Sequence, residues 1–200
     1  RFAKWRMVVT ISDEDTPTYE AVKMNCMQMA RYAMLAQAAG IVPIVEPEVI
    51  HAGDHSLQKA EIETTRTLQI LFQTLQEYRV DLAGLILKSS MVLAGDKYSE
   101  QTSAAEVAQA TLRTFHMSVP HETAGIVFLS GGQTPARSTE NLNAIAKMGP
   151  QPWPITFSFS RALENVVLDA WGGKPENEEA AKTALLEVVK RNSSASLGQL

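Results

Sequence analysis

Leu82-Ala83-Gly84-Leu85-Ile86-Leu87-Lys88 is a short apolar stretch of the chain that ends in a lysine. A continuous apolar run of this length is typical of a strand buried on both faces, as in a parallel sheet covered by helices. Four other stretches share this character. The predicted strands are Phe2–Ile11, Ile41–Glu46, Leu82–Lys88, Gly125–Leu129 and Ile155–Ser160.

Signals for helix ends lie between these strands. Thr16-Pro17 and Thr134-Pro135 each predict an N-cap threonine followed by proline in the first helical position, and Gly40 predicts the end of the first helix. Ser103 and Glu106 have the spacing of a capping box at the start of another helix. Further helices are predicted over Gln58–Tyr78 and Pro175–Arg191.

The chain thus alternates strand and helix five times, which predicts an α/β fold with a parallel sheet. A doubly wound open sheet and a TIM barrel both fit this alternation. A closed (β/α)8 barrel typically needs about 250 residues. We therefore interpret residues 1–200 as one domain, a partial TIM barrel with about five C-terminal βα units. The chain opens on a strand without Met or a leader, which favours a fragment of a longer protein.

Composition narrows the class of protein. The chain carries a formal net charge of -4 without any block of like charge, which argues against binding to nucleic acid or to a membrane surface. Its apolar runs are far shorter than the roughly 20 residues needed to span a bilayer. A single cysteine, Cys26, excludes an intramolecular disulfide, and we interpret it as a core residue. We expect a cytoplasmic protein.

Charged residues follow the apolar strands at their carboxyl ends, where chemistry gathers in parallel α/β proteins. Lys88 ends one strand, and Glu46 and Glu48 follow another. Burial of an amine disfavours its charged form, and the free amine attacks a carbonyl, while nearby glutamates could carry protons. The alternatives are a lysine that extends to solvent and a turn with solvated carboxylates. Lys4 and Arg6 are two residues apart and share a strand face.

Ser130-Gly131-Gly132 is a candidate phosphate-binding turn, because glycines let the backbone approach an anion closely. A simple tight turn would have the same sequence. Arg161 follows the next predicted strand and offers the planar fork that phosphate favours. His51 and His55 are four residues apart, but Gly53 predicts a loop, and no third metal ligand is evident. We therefore predict no metal site.

Together these motifs resemble class I fructose-1,6-bisphosphate aldolase. They occur in family order over essentially all of the chain, and a match of many separated motifs is far more specific than any one of them. The matching segments are Phe2–Arg6, Gly40–Glu48, Gly53–His55, Leu87-Lys88, Met91-Val92, Phe128–Gln133, Asn141–Ile145, Phe157-Ser158, Arg161–Leu163 and Ala170–Lys174.

The resemblance implies a role for each candidate residue. Lys88 is similar to the Schiff-base lysine, Glu46 to the acid/base for carbinolamine dehydration with Glu48 beside it, Lys4 to a second active-site lysine, and Arg6 to a contact near the second phosphate. The implied ligands of the dihydroxyacetone-phosphate phosphate are Ser130, Gly131, Gly132, Ser158, Ser160 and Arg161.

The implied enzyme is a lyase that reversibly cleaves fructose 1,6-bisphosphate to dihydroxyacetone phosphate and glyceraldehyde 3-phosphate in glycolysis and gluconeogenesis. The family uses no metal or other cofactor and is typically a cytosolic homotetramer. Its catalytic aspartate and another active-site lysine lie on strands that precede the segment matching Phe2. An alternative hypothesis is therefore an inactive or assembly-dependent aldolase fragment that acts as a binding module.

The sequence also departs from the family pattern at two strand ends. Lys88-Ser89-Ser90 stands where the family usually has Lys-Pro-Asn, and Phe159-Ser160-Arg161 stands where it usually has Tyr-Gly-Arg. These positions leave open an enzyme of the same fold with a different choice of phosphorylated ketose.

Overall fold

The structure is a computed structural model that describes residues 1–12 and 15–200. In this part of the chain five parallel strands form one sheet in the order β1-β2-β3-β4-β5. Each strand therefore lies beside the next one in sequence, without the reversal of strand order that marks a doubly wound sheet. This order favours the predicted segment of a TIM barrel. The strands are β1 Phe2–Val9, β2 Val42–Val49, β3 Ile86–Ser89, β4 Gly125–Phe128 and β5 Ile155–Phe157.

Helices follow every strand, as predicted, and two of them follow the last one. Short 3-10 turns precede β3 at Leu82–Gly84 and α6 at Pro175–Asn177. The helices are α1 Tyr19–Ala38, α2 Leu57–Glu77, α3 Ala104–Ser118, α4 Pro135–Lys147, α5 Arg161–Trp171 and α6 Glu178–Ser196.

The helix boundaries confirm most of the predicted signals. Ser103 and Glu106 form both hydrogen bonds of a capping box, and Thr134 caps α4 with proline directly after it. The prediction for Thr16-Pro17 is wrong. The N-cap of α1 is Thr18, whose side chain accepts a hydrogen bond from the Ala21 N–H at 3.2 Å, so both residues lie before the helix.

Strand β2 is longer than predicted and reaches Val49. It pairs with β1 over all eight of its residues, from Phe2–Val42 to Val9–Val49. Its pairing with β3 covers only Ile44–Ile86 and Val45–Leu87. Strand β5 is shorter than predicted and ends at Phe157. The two serines expected at the end of this strand, Ser158 and Ser160, therefore lie in the loop that leads to α5.

The interruption between β2 and β3 has a cause in the sequence. Successive residues of a strand direct their N–H and C=O groups to opposite neighbours, and the Ile50 N–H donates to Val9 of β1 at 2.8 Å. Pro43 and Pro47 are therefore at positions that face β3, where proline has no N–H to donate. Glu46 and Glu48 alternate with these prolines, so their backbone groups remain paired with β1.

The core fills the space between the sheet and the helices. Phe115 of α3 stacks on Phe128 of β4 with ring centroids 5.7 Å apart. Cys26 of α1 is fully buried, as predicted, and burial raises the pKa of its thiol to about 12. Among the residues that the structure describes, no helix is both long enough and apolar enough to pass through a bilayer.

Candidate active site

A polar cavity of about 230 Å³ lies at the carboxyl ends of the strands. A larger groove, of about 620 Å³, lies beside the amino end of β5 and has no charged residue in its lining. The smaller cavity brings together ten of the eleven residues predicted for the site and adds Leu129, which sequence reasoning missed. Its lining consists of Lys4, Arg6, Glu46, Glu48, Lys88, Leu129, Ser130, Gly131, Ser158, Ser160 and Arg161.

Lys88 and Glu46 face each other on adjacent strands and are both buried. The Nζ atom of Lys88 lies 3.5 Å from Oε1 of Glu46, while Lys4 contacts the other carboxylate oxygen, Oε2. One carboxylate thus lies between two amines. Lys88 is only 8% exposed, so it does not extend into solvent as the alternative interpretation required. An amine, a buried carboxylate and a second amine in contact are equipped to move protons at one site.

Arg6 and Glu48 form a second ion pair next to the first. The Arg6 Nε donates to Glu48 Oε2 at 2.6 Å, and this hydrogen bond raises the pKa of the Arg6 guanidinium above its ordinary value. Both pairs follow from the register, in which Arg6 is opposite Glu46. Lys4 is opposite Ile44 but contacts Glu46, and Arg6 contacts Glu48, so each cation pairs with the glutamate two residues further along β2. Glu48 is buried, which excludes the predicted alternative of a solvated turn.

The turn after β4 contains two glycines in a backbone conformation that other residues rarely adopt. Gly131 and Gly132 have φ values of 59° and 91°, in the region that favours glycine. The turn is closed by the Gln133 N–H, which donates to the Ser130 C=O at 3.1 Å, and the Gln133 side chain donates to the same oxygen. Asn141 of α4 in turn donates to Gln133 at 2.7 Å. Sequence reasoning did not assign this supporting role to Gln133.

The loop between β5 and α5 adds Ser158 and Ser160 to the cavity lining, with Arg161 directly after it. The Ser158 N–H donates to the Phe128 C=O at 2.8 Å, which ties this loop to β4. The Ser160 hydroxyl donates to Glu164 at 2.8 Å, and Arg161 is the first residue of α5. Gly132, the one predicted site residue outside the lining, lies close by, because a Cβ atom at this position would be 4.0 Å from Arg161 Nη2.

His51 and His55 lie outside this cavity, in the loop between β2 and α2. Burial lowers the pKa of both imidazoles, and the neighbouring His51 contributes further to the lowering at His55. Within residues 1–12 and 15–200, no group of three or more histidine, cysteine or acidic side chains is placed to hold a metal ion.

Comparison with known proteins shows to which family the chain is similar. The family model described as fructose-bisphosphate aldolase class-I matches residues 1–200. A fructose-bisphosphate aldolase of Schistosoma mansoni is 46% identical over 200 residues, which are all of this chain and 55% of that protein. The cytosolic fructose-bisphosphate aldolase 4 of Arabidopsis thaliana is 42% identical over 199 residues, which are 99% of this chain and 50% of that protein.

A solved structure is similar over the same length. The fructose-bisphosphate aldolase of Plasmodium falciparum, crystallised with TRAP and a small-molecule inhibitor, superimposes with a TM-score of 0.97 at 42% identity. The match covers all of this chain and 58% of that one. The chain thus spans between half and three-fifths of the length of these relatives. With the whole of residues 1–200 matched by the family model and by these relatives, the chain belongs to the class-I fructose-bisphosphate aldolase family.

Proposed function

We propose that this chain provides the imine-forming site of an aldolase that reversibly cleaves fructose 1,6-bisphosphate to dihydroxyacetone phosphate and glyceraldehyde 3-phosphate. The observation that carries the proposal is the position of Lys88. Its buried amine lies 3.5 Å from the Glu46 carboxylate, in a cavity that Ser130, Gly131 and Arg161 also line. A phosphorylated ketone held by these three residues presents its carbonyl to the amine.

The first half of the reaction forms a covalent bond. The free amine of Lys88 attacks the C2 carbonyl, and one proton passes from the nitrogen to the oxygen to give a neutral carbinolamine. Glu46 donates a proton to this hydroxyl, which leaves as water, and the imine with Lys88 remains. Lys4 contacts the same carboxylate and is placed to return the proton to it. The protonated imine then withdraws electrons from the bond between C3 and C4.

The second half breaks that carbon–carbon bond. The C4 hydroxyl gives its proton to a base as glyceraldehyde 3-phosphate departs, and the electron pair stays on C3 as an enamine. The family resemblance implies that a catalytic aspartate lies on an earlier strand. Protonation of C3 and attack of water on the imine release dihydroxyacetone phosphate and free Lys88. No cofactor is required, because the lysine itself acts as the electron sink.

Borohydride trapping tests the proposal directly. Dihydroxyacetone phosphate and borohydride added to the purified chain should give a stable adduct, and peptide mass spectrometry should place it on Lys88. Lys88→Arg should remove the adduct. Lys59→Arg should keep it, because Lys59 pairs with Glu63 on α2 and is absent from the cavity lining. An unlabelled chain, or an adduct on another lysine, would rule out the assignment.

Two further properties belong to this proposal. We infer a cytosolic homotetramer that acts in glycolysis and gluconeogenesis, supported by the family and by the name of the Arabidopsis relative, although two matching pea proteins are named chloroplastic. The alternative of a chain that acts only after assembly is supported by the sheet, in which β1 and β5 are the outer strands. Unpaired strand edges favour association with another chain or segment.

A further inference from the structure

The backbone pairing between β2 and β3 ends just before Glu46 and Lys88, the two residues proposed to react. The ladder ends at the pair Val45–Leu87, one residue before Glu46 on β2 and one before Lys88 on β3. The next backbone position of β2 that faces β3 is Pro47, which has no N–H to donate. The separation of the carboxylate and the amine is therefore not set by the ladder itself.

One buried side chain joins the two strand ends beyond this gap. The Ser90 hydroxyl accepts a hydrogen bond from the Val49 N–H and donates one to the Val49 C=O, both at 3.1 Å. A hydroxyl can do both because it has one donor hydrogen and two acceptor lone pairs. The N–H and C=O of Val49 point toward β3, because the N–H of the next residue, Ile50, donates to Val9 of β1. Ser90 is 5% exposed, so water hardly competes for these bonds.

The geometry points to Ser90 as a positioning residue that holds Glu46 beside Lys88, an inference that rests on the proposed function of these two residues. Ser90 touches neither reactive group, and its effect passes through the ends of β2 and β3. Proton transfer requires heavy atoms within hydrogen-bond reach, and a displacement of roughly 1 Å can slow a reaction by about two orders of magnitude. Ser90, at the position where the family usually has Asn, thus supplies a link of its own between the strands.

The test compares two neighbouring buried serines. Ser90→Ala removes both bonds to Val49 and changes none of the residues that line the cavity. Ser89→Ala is the matched control, because the Ser89 hydroxyl donates only to the adjacent Ser90 C=O, at 3.0 Å, and has no bond to β2. Ser90→Thr keeps the hydroxyl. For each variant, the rate of borohydride-trapped adduct formation at Lys88 is measured against the concentration of dihydroxyacetone phosphate.

Ser90→Ala should lower the rate at saturation at least about tenfold while the half-saturating concentration stays the same, because misplacement of a reacting group affects the step and not the binding. Ser90→Thr should recover most of that rate, and Ser89→Ala should match the original chain. General destabilisation would instead reduce the amount of adduct without changing the rate constant. Equal rate constants for the two alanine variants would overturn the inference.

If the unchanged chain forms no adduct, the proposed function fails, and amide hydrogen exchange decides the inference separately. Ser90→Ala should then increase the exchange rate of the Val49 amide, whereas Ser89→Ala should leave it unchanged. Equal protection of the Val49 amide in both variants would show that Ser90 does not join the strands.

Discussion

The carboxylate of Glu46 lies between two amines, with Oε1 3.5 Å from Lys88 Nζ and Oε2 in contact with Lys4. The three residues lie on three adjacent strands of one sheet, Lys4 on β1, Glu46 on β2 and Lys88 on β3. Glu46 and Lys88 are buried. Under the proposed function, Lys88 is the nucleophile, Glu46 its proton donor and Lys4 a second amine on the same carboxylate.

Replacement of Glu46 by glutamine should slow adduct formation at Lys88 by roughly 10²- to 10⁴-fold, the usual contribution of a general acid or base. Glutamine keeps the shape of the side chain but cannot donate a proton as a carboxylic acid does. Glu63→Gln is a matched control, because Glu63 is equally buried and contacts two cations, Lys59 and Arg66, on α2. The measurement is the trapping rate, and equal rates for the two variants would contradict the role of Glu46.

Arg161→Ala should raise the half-saturating concentration of dihydroxyacetone phosphate roughly tenfold, since a hydrogen bond to a charged group contributes about 1.5–3 kcal/mol and this side chain is exposed. The saturating rate should change little, because the role proposed for Arg161 is to bind the phosphate and not to transfer a proton at the amine. Arg113→Ala, which breaks a surface pair with Glu61, is the control. A fall in the saturating rate without any change in half-saturation would contradict the assignment to phosphate.

Stability should fall as the pH drops below about 6.5, the usual pKa of histidine. Burial lowers the pKa of His55 in the folded chain, so the unfolded chain binds the proton first and protonation favours unfolding. The contribution of neutral His55 to stability is complete above its pKa in the unfolded chain and is lost as the pH falls toward its lower pKa in the folded chain. Over this range the free energy of unfolding changes by at most about 1.4 kcal/mol per pH unit. His55→Gln should flatten the dependence of the unfolding free energy on pH, measured in denaturant between pH 7.5 and about 5. Identical slopes for this variant and the original chain would refute the prediction.

Residues 1–200 by themselves should cleave fructose 1,6-bisphosphate slowly or not at all. The chain spans only 50 to 58% of the relatives that it was compared with, and the resemblance implies that a catalytic aspartate and a further active-site lysine lie on strands before Phe2. A coupled assay for glyceraldehyde 3-phosphate measures turnover, and light scattering after size exclusion identifies any discrete oligomer. Loss of a general base usually slows a reaction by about 10²-fold or more. Turnover within about tenfold of an intact relative would therefore disprove this expectation.

Much of the site could be predicted because each strand changes sharply from apolar to polar residues at its carboxyl end. Lys88, Glu46 and Arg161 were all found from that change, and the sheet brings them to one cavity. The role of Ser90 could not be predicted in this way, since its partner is the backbone of a residue 41 positions away. A backbone group carries no signal in the sequence.

Boundaries were harder to predict for a related reason. Thr16 and Thr18 are both suitable N-cap residues, and only the hydrogen bond from Ala21 distinguishes them. The extension of β2 to Val49 was hidden by Pro47, which normally argues against a central strand. The strand continues because the β1 side of β2 retains its full ladder and only the β3 side is interrupted.

The lining of the cavity also has a consequence for how fast a ligand arrives. Besides Lys88, three basic side chains line it beside two carboxylates, namely Lys4, Arg6 and Arg161, although the chain as a whole has a net charge of -4. A concave, locally positive surface on an acidic protein concentrates field lines and attracts anions from several ångströms away. Capture of a sugar phosphate should therefore be steered electrostatically. Stopped-flow association rates should decline as added salt shortens the Debye length from about 30 Å at 0.01 M to about 8 Å at 0.15 M.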